Sequence, residues 1–207
     1  MKVELHCHTS RYSACGRATP SELMERMIQI GYDAVYITEH DAVWNDWEID
    51  QLQQGFPDIQ IFGGVELSTG PERMQHLLVL GTTDRAYTKI DDVAEILEKA
   101  RDEGHLTVLA HPFRWEGGAE MLDRGLRPDA IEYRTGNHDA ICAGLSEAAA
   151  GQHSLPLVNV GDVHGLDFLN RFWIETNMPL QKADDIRTVV LKGAYDNCIC
   201  GNQKSEI

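Results

Sequence analysis

Eight residues of this chain carry groups suited to holding divalent cations: His6, His8, His40, Glu66, His76, His111, Asp162 and His164. His6 and His8 end an apolar stretch that begins at Val3, and residues two apart on a strand point to one face. The pair can therefore clasp one ion, with Val3, Leu5 and Cys7 turned the other way, toward helices. Asp162 and His164 repeat the spacing after Val158-Asn159-Val160-Gly161. His40 follows Ala34–Thr38, Glu66 follows Ile59–Val65, and His111 follows Leu106–Ala110. Imidazole and carboxylate together suit Zn, Mn, Fe or similar ions. A single histidine after a strand is ordinarily a satisfied polar residue, but six histidines and two acids at several strand ends are not explained that way. His105, His138 and His153 give the contrast and read as surface positions. No cysteine cluster of the structural-zinc kind is present.

The elements that must position these groups alternate along the chain. Val3–His8, Ala34–Thr38, Ile59–Val65, His76–Leu80, Leu106–Ala110, Ala130–Tyr133, Leu157–Val160 and Phe172–Thr176 read as strands. Thr19-Pro20-Ser21-Glu22 is a capping box with proline at the first helical position, and the helix it opens stops at Gly31. Further helices are expected over Asp91–Glu103, over a segment from Asn137 to Ala150, and over Ala183–Lys192. Such alternation indicates βαβ units, a largely parallel sheet and a closed or distorted barrel. Glu66 and His76 are too close for a crossover helix, so that link is either an antiparallel hairpin or a strand followed by a loop. In parallel barrels the site forms at the carboxyl ends of the strands, so the ligand groups should meet at one mouth.

Composition sets the frame. The 207 residues suit one domain, spanning 1–207, with ordinary globular proportions. No apolar run approaches membrane-spanning length, no membrane partner is expected, and Met1 to His8 is not a signal peptide. Five cysteines, an odd number without framework spacing, fit a reducing cytoplasm. The formal net charge of −15 speaks against a surface that tracks nucleic-acid backbone, which makes extended nucleic acid an unlikely partner, though not a nucleotide-sized one.

The residues resemble the polymerase-and-histidinol-phosphatase (PHP) domain over nearly the whole chain. The motifs that carry this are Leu5-His6-Cys7-His8-Thr9, Ile37-Thr38-Glu39-His40-Asp41, Gly64-Val65-Glu66, the later His76, Ala110-His111-Pro112 and Asp162-Val163-His164. The resemblance implies an α/β single-domain distorted (β/α)7 TIM-like barrel with two or three divalent ions. It implies that His6, His8, Glu66 and Asp162 hold the first ion. Glu66, His76 and His111 would hold the second, with Glu66 bridging, and His40 and His164 a third. Many members add a histidine or aspartate soon after His-x-His. Here Ser10–Gly16 offers neither, and Cys15 is either a thiolate ligand or a buried small thiol, so the third site is the weakest.

The expected reaction is hydrolysis of a small phosphorylated molecule, a phosphomonoester or a nucleotide, by metal-activated water. Glu66, Asp162 and His164 are the catalytic candidates, Asp162 orienting the water and His164 protonating the leaving oxygen. Arg114, Arg134 and Arg171 are candidates for gripping phosphate, whose oxygens match the guanidinium fork. Asn137 is a substrate contact or a helix cap, and Glu132 a partner to a ligand histidine. The alternatives are an exonuclease or phosphodiesterase trimming nucleic-acid ends, an amidohydrolase-type carbon–nitrogen hydrolase, and a metal-stabilised binding module.

Overall fold

The computed structural model describes residues 1–201. Its strands are β1 (Lys2–Cys7), β2 (Ala34–Ile37), β3 (Gln60–Thr69), β4 (Gln75–Leu80), β5 (Leu106–Ala110), β6 (Ala130–Glu132), β7 (Leu157–Val158), β8 (Phe172–Thr176) and β9 (Tyr195–Ile199). The α-helices are α1 (Pro20–Gln29), α2 (Asp46–Gly55), α3 (Val93–Glu103), α4 (Glu120–Asp123), α5 (Ala140–His153) and α6 (Asp185–Leu191). All nine strands lie in one sheet, in the order β7-β6-β5-β4-β3-β2-β1-β8-β9. The first three strands run parallel, β4 runs against both its neighbours, and β5 to β7 run parallel again. The link from Glu66 to His76 is thus an antiparallel hairpin. β8, the strand expected at Phe172–Thr176, and β9, which was not expected, lie antiparallel beyond β1, so the sheet has nine strands against the seven that the resemblance implies.

The sheet curls until its two ends meet. At one end of the seam, side chains replace a backbone ladder: Asn197 Nδ2 and the Tyr195 hydroxyl both donate to the Leu157 carbonyl, at 2.9 and 2.7 Å. Asn159 N donates to Asn197 Oδ1 at 2.6 Å, and Asn159 Nδ2 to the Cys198 carbonyl at 3.1 Å. Near the ligand residues, the segment after β7 pairs directly with β1 through His8 N to Val163 O (2.9 Å) and Val163 N to His6 O (3.0 Å). The result is the distorted α/β barrel that the alternation of elements calls for.

Apolar packing explains the layers. One cluster joins Val3, Leu5, Tyr36, Leu78, Leu80, Leu106 and Val108 with Ile186, Val189 and Val190 of α6, and fills the barrel. Leu77, Val79 and Leu109 face the other way, onto Ile96 and Leu97 of α3. Cys7, Val35 and Ile37 pack outward with Leu23, Met24 and Met27 of α1. β1 departs here from strict alternation. Its register slips between Glu4 and Cys7, so Val3 and Leu5 lie in the inner cluster, and only Cys7 of the three residues expected on the helix side packs there.

Local signals fix most helix ends. Thr19 caps α1 and Glu22 reaches back to the Thr19 amide at 2.8 Å. α3 ends on Gly104, whose φ of +85° is open to glycine at no steric cost. α5 starts later than Asn137: its cap is Asp139, which accepts from Cys142 N at 2.8 Å. Among the described residues no helix is long and apolar enough to cross a membrane.

Candidate metal centre

The hairpin and the parallel strands bring all eight candidate ligands to one mouth of the barrel. Because β4 runs in reverse, His76 near its start lies level with the ends of β3 and β5, pairing in register with Ser68 and Ala110. His6 Nε2 and His8 Nε2 are 2.9 Å apart. Both approach Glu66 Oε2, at 3.1 and 3.2 Å, and Asp162 Oδ1, at 3.4 Å each. Ligand atoms held tetrahedrally about 2.0–2.1 Å from one ion lie about 3.3 Å from one another. This set of two imidazole nitrogens and two carboxylate oxygens therefore has the spacing of a closed cation site. Glu66 Oε2 and Asp162 Oδ1 are buried with no hydrogen-bond partner, which is costly for an anionic oxygen unless a cation answers it. The residues present fit a divalent ion.

Glu66 turns its other oxygen to a second group. Oε1 lies 2.6 Å from His76 Nδ1 and 2.9 Å from His111 Nε2. One fully buried carboxylate thus faces two ligand sets, one through each oxygen. His40 Nδ1 is 2.9 Å from Glu66 Oε2. His164 Nδ1 lies 2.8 Å from the Asp162 carbonyl, and its ring centre 4.6 Å from that of His8. His111 and Asp162 hold φ values of +27° and +47°, rare for residues with side chains. Backbone strain of this kind collects where a site dictates side-chain aim.

A supporting layer lies beneath. Glu132, fully buried, sits 2.6 Å from His6 Nδ1 and accepts from His111 N at 2.7 Å, so it orients a ligand from each set. Asn137 Nδ2 donates to Asp162 Oδ2 at 2.6 Å, leaving Oδ1 for the cluster. Its role is therefore to hold Asp162, not to cap α5. Glu4 accepts from Gly161 N at 2.7 Å and His6 N at 3.1 Å.

The electrostatics are those of a centre held by protons. Burial would lower His6, but Asp162, Glu66 and Glu132 outweigh it and hold the imidazolium well above the usual histidine range. His40 rises against burial to about 10 through Cys15 and Glu66. Burial would raise Glu66 and Asp162, yet the charge of His6 and bonds from neighbouring histidines keep both well below the carboxylate range. Burial also pushes the Cys15 thiol up, but the His164 and His40 rings bring it down to about 6.

The three arginines divide. Arg114 Nη1 comes within 3.9 Å of Asp162 Oδ2, with its guanidinium over the Trp115 ring at 4.5 Å. Arg134 lies over Tyr133, at 5.2 Å. Arg171 is tied to the Asp167 carbonyl at 2.9 Å and lies over Phe168, which in turn meets the His164 ring at 5.7 Å. Sequence reasoning missed Trp115, whose ring lies 5.1 Å from His76 and 5.2 Å from His111; its place four residues after His111 is the only signal. His138 is not the surface residue it reads as: its Nε2 is buried, and its ring lies 6.4 Å from that of His111. Cys15 is exposed rather than buried, and it joins His8 and His40 in one donor group.

The PHP domain matches residues 4–124. The error-prone DNA polymerase of Cutibacterium acnes is 24% identical over 177 residues, which is 80% of this chain and 15% of that protein. A two-domain protein from Bacteroides vulgatus, containing a predicted PHP-like metal-dependent phosphoesterase, shares the fold with a TM-score of 0.73 and 17% identity, over 95% of this chain and 64% of that one. The lesion-specific endonuclease PfuEndoQ of Pyrococcus furiosus gives 0.65 and 16%, over 95% and 57%. This chain thus spans a small part of the polymerase and less than two thirds of either structure's chain. These relatives correct the expectation that extended nucleic acid is an unlikely partner, since one is named a DNA polymerase and another an endonuclease. The net charge misled because it sums the whole chain, buried Glu4, Glu66, Glu132 and Asp162 included, and does not report the local charge at the mouth.

Proposed function

The chain belongs to the PHP domain family, and from that premise we propose that it is a metal-dependent hydrolase of phosphoesters, acting through one catalytic domain over 1–207. Its substrate on this reading is a small phosphorylated molecule, a phosphomonoester or a nucleotide. The observation that carries the proposal is Glu66, buried between two ligand sets with one oxygen toward each. His6, His8, Glu66 and Asp162 would hold one divalent ion, Glu66, His76 and His111 a second, and His40 with His164 a third. Bound ions of this kind lower the pKa of water and stabilise charge on phosphoryl oxygens.

The chain's own groups do the rest. Asn137 fixes Asp162 so that Oδ1 faces the cluster and orients the attacking water. The contact between His164 Nδ1 and the Asp162 carbonyl leaves Nε2 as the nitrogen open to a ligand or, when protonated, able to hand a proton to the leaving oxygen. Arg114 is the arginine nearest the ligands and grips the phosphate. Trp115 screens His76 and His111 from solvent. The polymerase and endonuclease relatives favour a second reading, in which the phosphoester is a phosphodiester of DNA or RNA.

The test is hydrolysis of phosphomonoesters, a bis-ester, mononucleotides and labelled oligonucleotides with Mn or Zn. Glu66→Gln should lower activity about a hundredfold or more, since it removes charge at the reacting centre, while circular dichroism stays unchanged. Arg114→Ala should raise KM more than it lowers kcat. Wild type inactive on every substrate with every metal would end the phosphoesterase reading. Full activity in metal-loaded Glu66→Gln would end the role given to the bridge.

A further inference from the structure

The segment from Thr9 to Ala18 is folded tightly against the mouth. Ser13 N donates to Thr9 O (3.3 Å), Gly16 N to Ser13 O (3.0 Å), Ser10 N to Ala18 O (2.9 Å) and Arg17 N to His164 O (2.8 Å). The Ser13 hydroxyl accepts from His40 N at 3.0 Å and lies 3.4 Å from His8 Nδ1. Gly16 fits only because it lacks a side chain: a Cβ there would stand 2.3 Å from Thr9 O. Glu39, accepting from Thr9 N at 3.1 Å and Trp44 Nε1 at 3.1 Å, fixes the base of the loop. Cys15 is therefore set in place by neighbours on both sides. The donor atoms of His8, Cys15 and His40 lie within 4.8 Å of one another. The thiol is in no disulfide and is exposed, while His8 is buried and His40 partly so.

We propose that Cys15 Sγ joins His40 and His164 at the third, outermost cation position, beside His8, and makes it a sulfur-containing site that takes a thiophilic ion such as zinc and refuses manganese or magnesium. The inference rests on the metal-centre reading above and adds to it a division of labour. The inner ligands are nitrogen and oxygen and accept a range of first-row ions; the outer group contains a soft thiolate, which favours zinc-like ions over those that prefer carboxylate and water. Because the thiol lies at the surface, the outer ion exchanges with solvent more freely than the inner ones. A free surface cysteine would need neither two imidazoles within ligand distance nor a glycine that lets its loop close against Thr9.

The experiment is cobalt titration of the metal-stripped full chain, followed by absorbance. Wild type should develop a thiolate-to-cobalt band in the near ultraviolet as the outer position fills, in addition to the weaker visible bands of the inner ions. Cys15→Ser should abolish the near-ultraviolet band, keep the visible ones, and weaken the outer ion about tenfold or more, at least as much as the loss of a supporting group costs a metal site. Cys200→Ser, which removes another exposed thiol, should leave the band intact. Zinc should shield Cys15 from iodoacetamide and manganese should not. Inner sites that fill with cobalt without any Cys15-dependent band would overturn the thiolate site alone. No cobalt bound at all would overturn the metal centre with it. A Cys15-dependent band in a protein that hydrolyses no phosphoester would uphold this site and remove only the activity.

Discussion

Glu66 shows how much one side chain is asked to do. It is fully buried, and five histidines approach its two oxygens within 3.2 Å, three of them, His40, His76 and His111, within 2.9 Å. In the metal-free protein the neighbouring carboxylates hold the His6, His8 and His40 imidazoliums above the usual histidine range, so ion binding must expel protons and strengthen as pH rises. Glu4 is a different case. Burial raises its carboxyl to about 8, and the amides of Gly161 and His6 recover only part of that. A raised acid binds its proton in the fold and releases it when unfolded, so stability falls as pH rises from the ordinary carboxylate range through about 8. Glu4→Gln keeps the acceptor and loses the charge. Its melting temperature should match wild type near pH 4, and should exceed it by a margin that grows up to about pH 8 and is constant above. A margin independent of pH would mean that Glu4 is ionised throughout.

Elements were legible where one local force dominated. The capping box at Thr19 and Glu22, the glycine stop at Gly104 and the apolar run Leu106–Ala110 each predict what the structure shows. The residues that converge on the mouth were legible for the same reason, since polar residues abruptly ending apolar strands have few other uses. Other elements lacked such a signal. α2 carries an Asn45–Glu48 capping box but leaves Trp47 two-thirds exposed, so no apolar stripe marks it. β9, Tyr-Asp-Asn-Cys-Ile, is held partly by the side chains of its own polar residues, which a search for alternation passes over. The slip in β1 is a property of pairing with β2 and leaves no mark in β1's own residues. Near α5 two polar residues compete for one role, and the structure gives them separate ones. Asp139→Ala should cost about 1 kcal/mol of stability, as a lost cap does, with activity retained. Asn137→Ala should leave stability nearly unchanged and lower kcat by freeing Asp162. Denaturant midpoints alongside kinetics separate the two, and the reverse pattern would restore Asn137 as the cap.

At the scale of the whole molecule, the centre is both a site and a fastening. His6 comes from β1 and His8 from the residue just after it, Glu66 from β3, His76 from β4, and His111, Asp162 and His164 from segments following later strands. On the proposed reading, the ion held by His6, His8, Glu66 and Asp162 would tie the start of the chain to its last third. An ion present at a hundred times its Kd adds about 2.7 kcal/mol to stability. For a domain of this size that corresponds to about 5–10 °C in Tm. Thorough chelation should lower Tm by that amount, and zinc should restore it. No shift in a sample shown to have lost its metal would mean that the buried carboxylates are satisfied without ions.

The reversed strand β4 also sets an order in time. His76 and Glu66 are 10 residues apart, whereas His6 and the Glu132 that supports it are 126 apart. Closing the longer loop costs on the order of 2 kcal/mol more chain entropy, and hairpins form within about 1–10 μs. The Glu66–His76 pair should therefore assemble early, while the half of the centre that needs His6, His8 and Asp162 waits for the barrel to close. The side-chain seam of Asn159 and Asn197 belongs to that late event. Asn197→Ala should accordingly speed unfolding while leaving the folding rate nearly unchanged, as positions formed after the transition state do. Stopped-flow measurements on both limbs would read this, and a slowed folding limb would place the seam, not the hairpin, at the start.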